Sequence, residues 1–417
     1  MPNNWSYSIA GQLAWINLIY EIINEGIILP LFYFIGKVIN NKKDLTNRIK
    51  TGLLMSFIIY LFLSGIIIAF ANPLLRVMAT NKEILYDSTV YIRLEAIANI
   101  FIILQNFVLI CLTVLNKRVY FYIITFLQLF LYVSFDTFLV STLRISANLG
   151  VNGIAISNIL VNLILFAMSL IFLNNAGINI FTKSKLSFAW MKEFLKVGGI
   201  SSLESFIRNL AYMLMISRMI NVVSVSEQGT YWVANSFIWG WLLLPINQLA
   251  ELIKQEASTQ KNSIQNNSLG YFFLTTIIAM IWLITIPLYK PFMRHVLNYK
   301  DADKLFNLVL ILLGFYILYA LQNVFDATFY GLEKTQYMLF ESIVTNTLYY
   351  GIAFILYKAH VWNPTLINIA LLFGIGMAFD SIVSLIAYWY LLRKYKINIL
   401  DVKKVNKKIL LEQNSLL

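Results

Sequence analysis

The chain has 417 residues, of which 59% are hydrophobic and 12% are charged, and its mean hydropathy is +0.72. So little polar surface excludes an ordinary soluble protein and predicts an integral membrane protein. The formal net charge is +12, but the basic residues lie in short runs between apolar stretches, where such residues set membrane topology. We therefore expect no nucleic-acid binding. The single cysteine, Cys111, lies within an apolar run and is expected to be a packing residue.

Eleven apolar stretches follow one another along the chain, each long enough for a helix to cross roughly 30 Å of hydrocarbon. Polar clusters such as Asn72-Pro73 and Asn363-Pro364 end them, as is typical of helix boundaries. Met1 to Ala10 carries no Lys or Arg, so we expect the first stretch to be retained and not cleaved as a signal peptide. The sequence predicts an all-α polytopic membrane protein with about eleven transmembrane helices. The predicted spans are 9–36, 51–72, 87–113, 119–141, 151–173, 198–222, 230–254, 269–289, 305–330, 337–359 and 365–392.

The loops between these spans differ in basic charge. Alternate loops on one side, together with the carboxyl-terminal tail, carry 21 Lys and Arg, whereas the opposite loops carry 8. Because positive residues accumulate on the cytoplasmic side, we expect a cytoplasmic carboxyl terminus and an external amino terminus. The stretch 174–197 is expected to be an amphipathic cytoplasmic linker, and 393–417 a basic cytoplasmic tail. The loop 290–304 is an exception, because it carries four basic residues on the predicted outer side.

The chain contains an internal duplication. Pro73 and Arg76 recur as Pro291 and Arg294 at an offset of 218 residues. The same register continues through further matched positions, with the offset falling to 217: Leu104-Gln105-Asn106 with Leu321-Gln322-Asn323, Lys117 with Lys334 and Tyr120 with Tyr337.

A second set of matches shows that the two copies differ in length. Tyr7, Ala10 and Trp15 correspond to Tyr231, Ala234 and Trp239 at an offset of 224. The stretch 198–222 would therefore correspond to residues before Met1. We expect a first lobe of five helices in 1–173 and a second lobe of six in 198–392. Repeats of this size are typical of transporters, in which the substrate path lies between the lobes.

Several strings in both halves resemble the multidrug and toxic compound extrusion (MATE) transporters, which belong to a wider superfamily that includes polysaccharide flippases. The resemblance covers nearly the whole chain and implies two six-helix lobes, here without the first helix. It also implies alternating access and export of organic, often cationic, compounds coupled to Na⁺ or H⁺ across the cell membrane. The strings are Pro73-Leu-Leu-Arg-Val-Met78, Tyr91-Ile-Arg-Leu94, Leu149-Gly-Val-Asn-Gly-Ile-Ala155, Gly229-Thr-Tyr-Trp-Val-Ala-Asn235 and Tyr330-Gly-Leu-Glu-Lys-Thr335.

Ionisable residues within membrane spans are candidates for coupling or binding, because their charge is costly in lipid. On the ninth span, Tyr319, Gln322, Asn323, Asp326 and Tyr330 lie within about 60° of one helical face. A carboxylate with carboxamide neighbours can ligate Na⁺ or take up a proton, and aromatic rings can accept an organic cation. Asp326 is either a coupling site, with Na⁺ nearby, or a structural hydrogen-bonding group.

Glu204 and Arg208 on the sixth span are four residues apart, which allows a structural ion pair as well as a proton site. The resemblance implies a second-lobe cation site that uses a glutamate on this helix. In family members this glutamate lies deeper in the membrane, near the position of Asn209, so Glu204 does not match it directly.

Asp136 matches the aspartate of an Asn-x-x-x-Asp pattern in family members with a first-lobe site, but Tyr132 replaces the asparagine. The partner acid on the first helix is also missing, so the resemblance does not extend to a complete first-lobe Na⁺ site. Burial of Asp136 without a partner would favour coupling to a proton over Na⁺. On the first span Glu21 is expected to face the cavity, and Glu25 to lie nearer the solvated end. Four further charges are placed nearer span ends, where snorkelling to the interface explains them: Arg93, Glu95, Glu341 and Asp380.

We expect no enzymatic activity, no cofactor other than the coupling ion, and a monomer whose partners are small organic substrates and membrane lipid. Neither a His/Cys cluster nor a phosphate-binding loop occurs in the sequence. Two alternatives to an antiporter remain open. Arg93, Arg208 and Arg218 suit a flippase for anionic lipid-linked oligosaccharides, and the missing helix suits a truncated, non-transporting membrane protein.

Overall fold

The protein is described by a computed structural model, which covers residues 5–115, 117–182, 186–259, 263–332, 334 and 336–399. Within these ranges it consists of helices and connecting turns, without a strand. The helices are α1 Ser6–Gly36, α2 Lys42–Val77, α3 Lys82–Val114, α4 Arg118–Leu139, α5 Val151–Asn175, α6 Met191–Ala211, α7 Arg218–Ile220, α8 Val225–Phe237, α9 Leu244–Thr259, α10 Ser263–His295, α11 Ala302–Gly331, α12 Gln336–Val344, α13 Gly351–Lys358 and α14 Leu366–Lys394.

Three π-helical turns interrupt spans in the second half. They are Tyr212–Ser217 between α6 and α7, Ile238–Leu242 between α8 and α9, and Thr345–Tyr350 between α12 and α13. A π turn inserts an extra residue into the helical ladder and is frequent at functional sites. The spans predicted at 198–222, 230–254 and 337–359 are therefore each built from two helices joined through a π turn.

Every predicted span coincides with a helix, and the prediction of an all-α polytopic membrane fold is confirmed. Within the described ranges, eight helices are long and apolar enough to cross a membrane, and a bent pair, Val225–Leu242 with Leu244–Lys254, adds a ninth. The helices at the other two predicted spans, α1 and α6 with α7, are not among these nine. The predicted tail lies outside the described residues from position 400 onward.

Short polar side chains begin several of these helices. The side chain of Asn41 accepts from the Asp44 amide at α2, and that of Asn81 from the Glu83 amide at α3. Asp301 caps α11 and Thr365 caps α14 in the same way. Such caps satisfy backbone donors that have no partner inside the helix, which explains why the chain turns at these points.

The helices form two compact units, Met1–Gly229 and Thr230–Leu417. In the first unit, α3 packs against α1, α2 and α5, α4 packs on α5, and α6 lies along α1. In the second unit, α11 is central and packs against α9, α10 and α14. The boundary between the units, after Gly229, lies later in the chain than the predicted linker 174–197, because α6 packs with α1. Lobes of 1–173 and 198–392 remain a prediction from the repeat.

The linker is docked on the start of α2. Asn47 donates from Nδ2 to the Ser187 carbonyl at 2.8 Å and accepts from the Ser187 amide at 2.9 Å. The Nζ of Lys50 donates to the Thr182 hydroxyl at 2.7 Å, and the Trp190 indole donates to Thr51 at 3.0 Å. These hydrogen bonds all join the linker to side chains of α2, and the Trp190 ring also packs 5.9 Å from the Phe34 ring of α1.

The basic loop 290–304 contains its own counter-charge. Lys290 and Arg294 both pair with Asp303 at the start of α11, and the Arg294 Nη2 lies 3.3 Å from the Asp303 Oδ2. The carboxylate offsets part of the positive charge of this loop. A simple count of Lys and Arg misses that compensation.

Candidate functional site

The central polar group of the second unit is the side-chain amide of Gln322. Its Nε2 donates to the Asp380 Oδ2 at 2.6 Å and to the Asp326 Oδ2 at 3.3 Å. Its Oε1 accepts from the Ser381 hydroxyl at 2.8 Å. One carboxamide therefore links two carboxylates, one on its own helix α11 and one on α14.

Hydroxyl groups complete the surroundings of both carboxylates. Thr345 donates to the Asp380 Oδ1 at 2.7 Å, and Ser384 donates to the Asp326 Oδ1 at 2.9 Å. Gln322 is 3% exposed and Ser384 is fully buried. Because Thr345 opens the π turn between α12 and α13, three separate elements converge on this group, which we call the carboxylate pair.

The helical spacing explains part of this arrangement. Gln322 and Asp326 are one turn apart on α11, so their side chains meet as an i, i+4 pair. Asp380 is the fifteenth of the 29 residues of α14. Its expected position near a helix end is therefore wrong, and snorkelling does not explain it. The position was already readable from the predicted span 365–392, since Asp380 lies near its centre.

The other residues of the predicted stripe have different partners. The Asn323 Nδ2 donates to the Tyr319 carbonyl at 3.1 Å, so its amide is directed to its own backbone. The Tyr319 ring lies 5.7 Å from the Trp239 ring, and the Trp239 indole donates to the Tyr316 hydroxyl at 3.0 Å. Lys254 lies 5.0 Å from the centroid of the Tyr330 ring. Tyr316 and Tyr319 thus lie on the amino-terminal side of the carboxylate pair along α11, and Tyr330 lies on its carboxyl-terminal side.

A second charged cluster lies in the first unit between α1 and α6. The Arg208 Nη2 lies 2.6 Å from the Glu25 Oε1 and 3.7 Å from the Glu21 Oε1. The side chain of Glu25 is only 17% exposed, which corrects the expectation of a solvated Glu25. Glu21 and Arg208 are brought together as candidates, whereas the Glu204 side chain lies outside the described part of the chain.

Arg208 thus reaches across to a different helix, a partner that sequence spacing could not indicate. The nearest sequence signal was the stripe containing Glu21, Asn24 and Glu25. It placed these acids on one face of α1 but did not identify the helix opposite.

Asp136 lies on α4, where its Oδ1 is buried, and its carboxylate interacts with the Ser157 side chain of α5. Tyr132, one turn earlier, accepts from the Asn162 Nδ2 at 3.0 Å. Within the first unit, no described hydrogen bond joins Asp136 to Arg208. It belongs instead to a polar region between α3, α4 and α5.

Glu95 and Glu341 also differ from expectation. Both were placed near span ends with solvated charges, yet they are 2% and 3% exposed. Glu95 is the fourteenth of the 33 residues of α3. Snorkelling therefore does not account for either residue. Arg93, by contrast, is exposed and donates to the Ile68 carbonyl at 3.1 Å.

The carboxylate pair is rich in oxygen and lacks the softer ligands of transition-metal sites. Its carboxylates and hydroxyls are hard donors, which suit a proton or an alkali cation. Among the described residues, no cluster of three or more His, Cys, Asp or Glu side chains is placed to hold a metal ion. The oxygen atoms of the carboxylate pair can therefore accept a proton or ligate an alkali cation.

A scan of protein-family models finds no match to this sequence, and a search of curated proteins finds none either. Solved structures do match. A multidrug resistance MATE family transporter of the MOP superfamily in an inward-facing conformation is 17% identical, with a TM-score of 0.74 over 96% of this chain and 92% of that one. A MOP superfamily transporter from Pyrococcus furiosus, described as having a binding pocket of reversed polarity that suggests a different function, is 16% identical. Its TM-score is 0.65 over 93% of this chain and 89% of that one.

A third structure, a multidrug resistance MATE family transporter in an outward-facing conformation, is 17% identical, with a TM-score of 0.63 over 94% of this chain and 92% of that one. The similarity extends over nearly the full length of each protein. The chain therefore has the MATE transporter fold, and the resemblance seen in the sequence is confirmed at the level of fold.

Proposed function

We propose that this protein is a secondary active transporter that exports organic, cationic or amphipathic compounds in exchange for Na⁺ or H⁺. The observation that carries the proposal is the single amide of Gln322 shared between Asp326 and Asp380. The group lies on two apolar helices that are long enough to cross a membrane. Intramembrane carboxylates are costly and mark ion or substrate pathways.

The geometry suggests how binding of an ion would change the packing of the helices. Gln322 joins α11 to α14, and Thr345 joins α14 to the π turn after α12. A cation or proton that neutralises either carboxylate would weaken the hydrogen bonds that this carboxylate accepts. The crossing of α11 with α14 would then have two arrangements, one favoured with the ion bound and one without.

Exchange requires that the ion and the exported compound exclude one another. An organic cation would be attracted to the same carboxylates and to the aromatic rings of Trp239 and Tyr319. Since each ligand lowers the affinity for the other, the two bindings are coupled, with equal effects in both directions. The proposed cycle is therefore alternating access driven by competition at the carboxylate pair.

The test is transport by purified protein in vesicles. A cationic dye is loaded, and either a Na⁺ gradient or a pH gradient is imposed, so that the two ions are tested separately. We expect Asp326→Asn and Asp380→Asn to lose gradient-driven efflux while the protein still inserts. Asp303→Asn, an exposed carboxylate at the start of the same helix, is the matched control and should retain efflux. Undiminished efflux by a correctly inserted Asp326→Asn protein would remove the carboxylate pair from the mechanism.

The flippase alternative is less favoured by the positions of its three arginines. Arg208 is paired with Glu25, while Arg93 and Arg218 donate to the backbone carbonyls of Ile68 and Val77. An anionic cargo would have to compete with these partners. Efflux of the dye that needs no ion gradient, together with transfer of an anionic lipid, would favour the flippase.

We propose a cell-membrane location, a cytoplasmic carboxyl terminus, an external amino terminus and a monomer that works without another protein. The excess of basic residues in alternate loops supports the orientation. Cysteine accessibility at Asn175 and at Asn363, placed on opposite sides in this orientation, would test it.

A further inference from the structure

A cavity of about 670 Å³ lies in the first unit, where the linker docks on the start of α2. Four of the side chains that line it are charged: Lys43, Asp44 and Arg48 of α2 and Glu193 of α6. Its volume is within the range of sites that bind small molecules. The proposed transport cycle makes no use of this cavity, so its charges call for a separate explanation.

The two basic side chains of the cavity suit a phosphate group. The Arg48 Nη1 donates to the Phe34 carbonyl at 2.6 Å, and the guanidinium lies 5.6 Å from the centroid of the Trp190 ring. These contacts hold the guanidinium in place and leave its other nitrogen atoms without a hydrogen-bond partner among the described residues. Lys43 is exposed and adds a second positive charge. A positioned guanidinium with a neighbouring ammonium is a common arrangement for binding phosphate.

The two acidic side chains of the cavity suit a positive group on the same ligand. The Asp44 Oδ2 accepts from the Asn41 Nδ2 at 2.8 Å, and Glu193 is exposed. Among the described residues, no ion pair joins these acids to the basic side chains of the cavity. A purely anionic ligand would be repelled by two carboxylates. A ligand that carries both a phosphate and an ammonium group would complement all four charges.

The cavity lies at the end of a membrane span. The predicted span 51–72 begins directly after the cavity residues of α2, and α2 is long and apolar enough to cross a membrane. Leu54, Ile58 and Leu61 lie within about 40° of Asn47, which lines the cavity, on the same face of the helix. These three side chains are 39% to 56% exposed. An exposed apolar stripe therefore continues from the polar cavity along the surface of α2, as the acyl chains of a lipid require.

We propose that this cavity binds the headgroup of an aminophospholipid. Its phosphate contacts Lys43 and Arg48, its primary ammonium contacts Asp44 and Glu193, and its acyl chains lie along the apolar stripe of α2. Carboxylates accept hydrogen bonds from a primary ammonium, whereas a quaternary ammonium has no N–H to donate. The Trp190 ring, which could hold a quaternary ammonium, is 8% exposed and already contacts Arg48. Because the lipid touches both α2 and the linker, it stabilises the docking of one on the other.

Native mass spectrometry of the full-length protein in detergent tests the proposal. Three lipids with the same acyl chains are added in turn: phosphatidylethanolamine, phosphatidylcholine and phosphatidylglycerol. We expect phosphatidylethanolamine to bind several-fold more tightly than the other two, because it alone matches both pairs of charges. Equal binding of all three lipids would overturn the proposal, since it would indicate a nonspecific lipid shell.

Substitutions of two exposed cavity residues separate the two halves of the headgroup. Lys43→Ala should weaken the binding of phosphatidylethanolamine and phosphatidylglycerol alike, because both carry the phosphate. Glu193→Gln should weaken the binding of phosphatidylethanolamine several-fold but leave that of phosphatidylglycerol unchanged or raised. Lys192→Ala, an exposed neighbour outside the cavity lining, is the control and should bind like wild type. Wild-type lipid binding by both Lys43→Ala and Glu193→Gln would overturn the proposal.

The headgroup without its chains distinguishes a lipid from a soluble ligand. We expect phosphoethanolamine at the same concentration to leave the bound phosphatidylethanolamine in place, because it cannot contact the apolar stripe. Full displacement of the lipid by phosphoethanolamine would assign the cavity to a soluble compound and overturn the lipid site.

Discussion

Gln12 and Asn221, 209 positions apart, exchange two side-chain hydrogen bonds in the first unit. The Gln12 Nε2 donates to the Asn221 Oδ1 at 2.7 Å, and the Asn221 Nδ2 donates back to the Gln12 Oε1 at 3.1 Å. Both side chains are almost completely buried. Thr80 and Trp15 also donate to the Gln12 Oε1, and Asn221 donates to the Met78 carbonyl. The pair therefore joins α1, the turn after α2 and the turn after α7.

Replacing Asn221 should destabilise the first unit, because several buried polar groups would lose their hydrogen-bond partners at once. We expect Asn221→Ala to lower the stability by about 1–3 kcal/mol, the range for leaving buried donors and acceptors unpaired. The measurement is thermal unfolding in detergent. Asn175→Ala, an exposed amide at the end of α5, is the control and should unfold like wild type. A double variant with Gln12→Ala should cost less than the sum of the single variants, since both remove the same bonds.

The contact of α1 with α6 depends on two glycines. A Cβ atom on Gly198 would overlap the carbonyl oxygen of Gly26, whereas a Cβ atom on the neighbouring Gly199 would meet nothing within 4 Å. Small residues allow helices to approach closely in membranes. Gly198→Ala should therefore overpack this contact and lower the free energy of unfolding by about 1–3 kcal/mol. The measurement is the unfolding temperature in detergent.

Gly199→Ala is the matched control for that substitution, one residue away on the same helix. It should be neutral or stabilising by up to about 1 kcal/mol, because alanine favours the helix over glycine. Equal destabilisation by both variants would show that α6 does not approach α1 at Gly198.

The ion pair of Arg208 with Glu25 predicts a charge-swap result. Arg208→Glu places three acids together and should reduce the amount of folded protein, while Glu25→Arg adds a second cation and should do the same. Combining the two restores opposite charges across α1 and α6 and should recover part of the loss. Glu21→Gln should have a smaller effect, because its carboxylate lies 3.7 Å from the guanidinium and not 2.6 Å. Recovery is measured as monodisperse protein on size exclusion.

The docking of the linker on α2 predicts its sensitivity to protease. Asn47→Ala removes both hydrogen bonds to Ser187 and should expose the linker more often, because local opening is set by the contacts that hold a segment. We expect several-fold faster cleavage by trypsin within 183–196 than in wild type, with Asn175→Ala as a control. Unchanged cleavage would mean that Lys50 and Trp190 hold the linker without Asn47.

The positions of the helices follow from local properties of the sequence. The length and apolar character of each segment are readable directly, and caps such as Asn41 and Thr365 mark helix starts. The π turns were not predicted, since they insert a residue without changing the hydropathy pattern. The candidate Asp326 was also readable, because a carboxylate inside an apolar span stands out in any window of the sequence.

The partners of these charges depend on helix crossings, which join residues far apart in the chain. Asp326 and Gln322 share a helix and could be paired by spacing, whereas Asp380 lies 58 residues from Gln322 and meets it only where α11 crosses α14. In the same way, Arg208 pairs with Glu25 because α6 packs along α1. Hydropathy and helical period specify how much chain is buried in the membrane and which face is polar. Side-chain packing between helices specifies which polar faces meet, and therefore where charge can be bound.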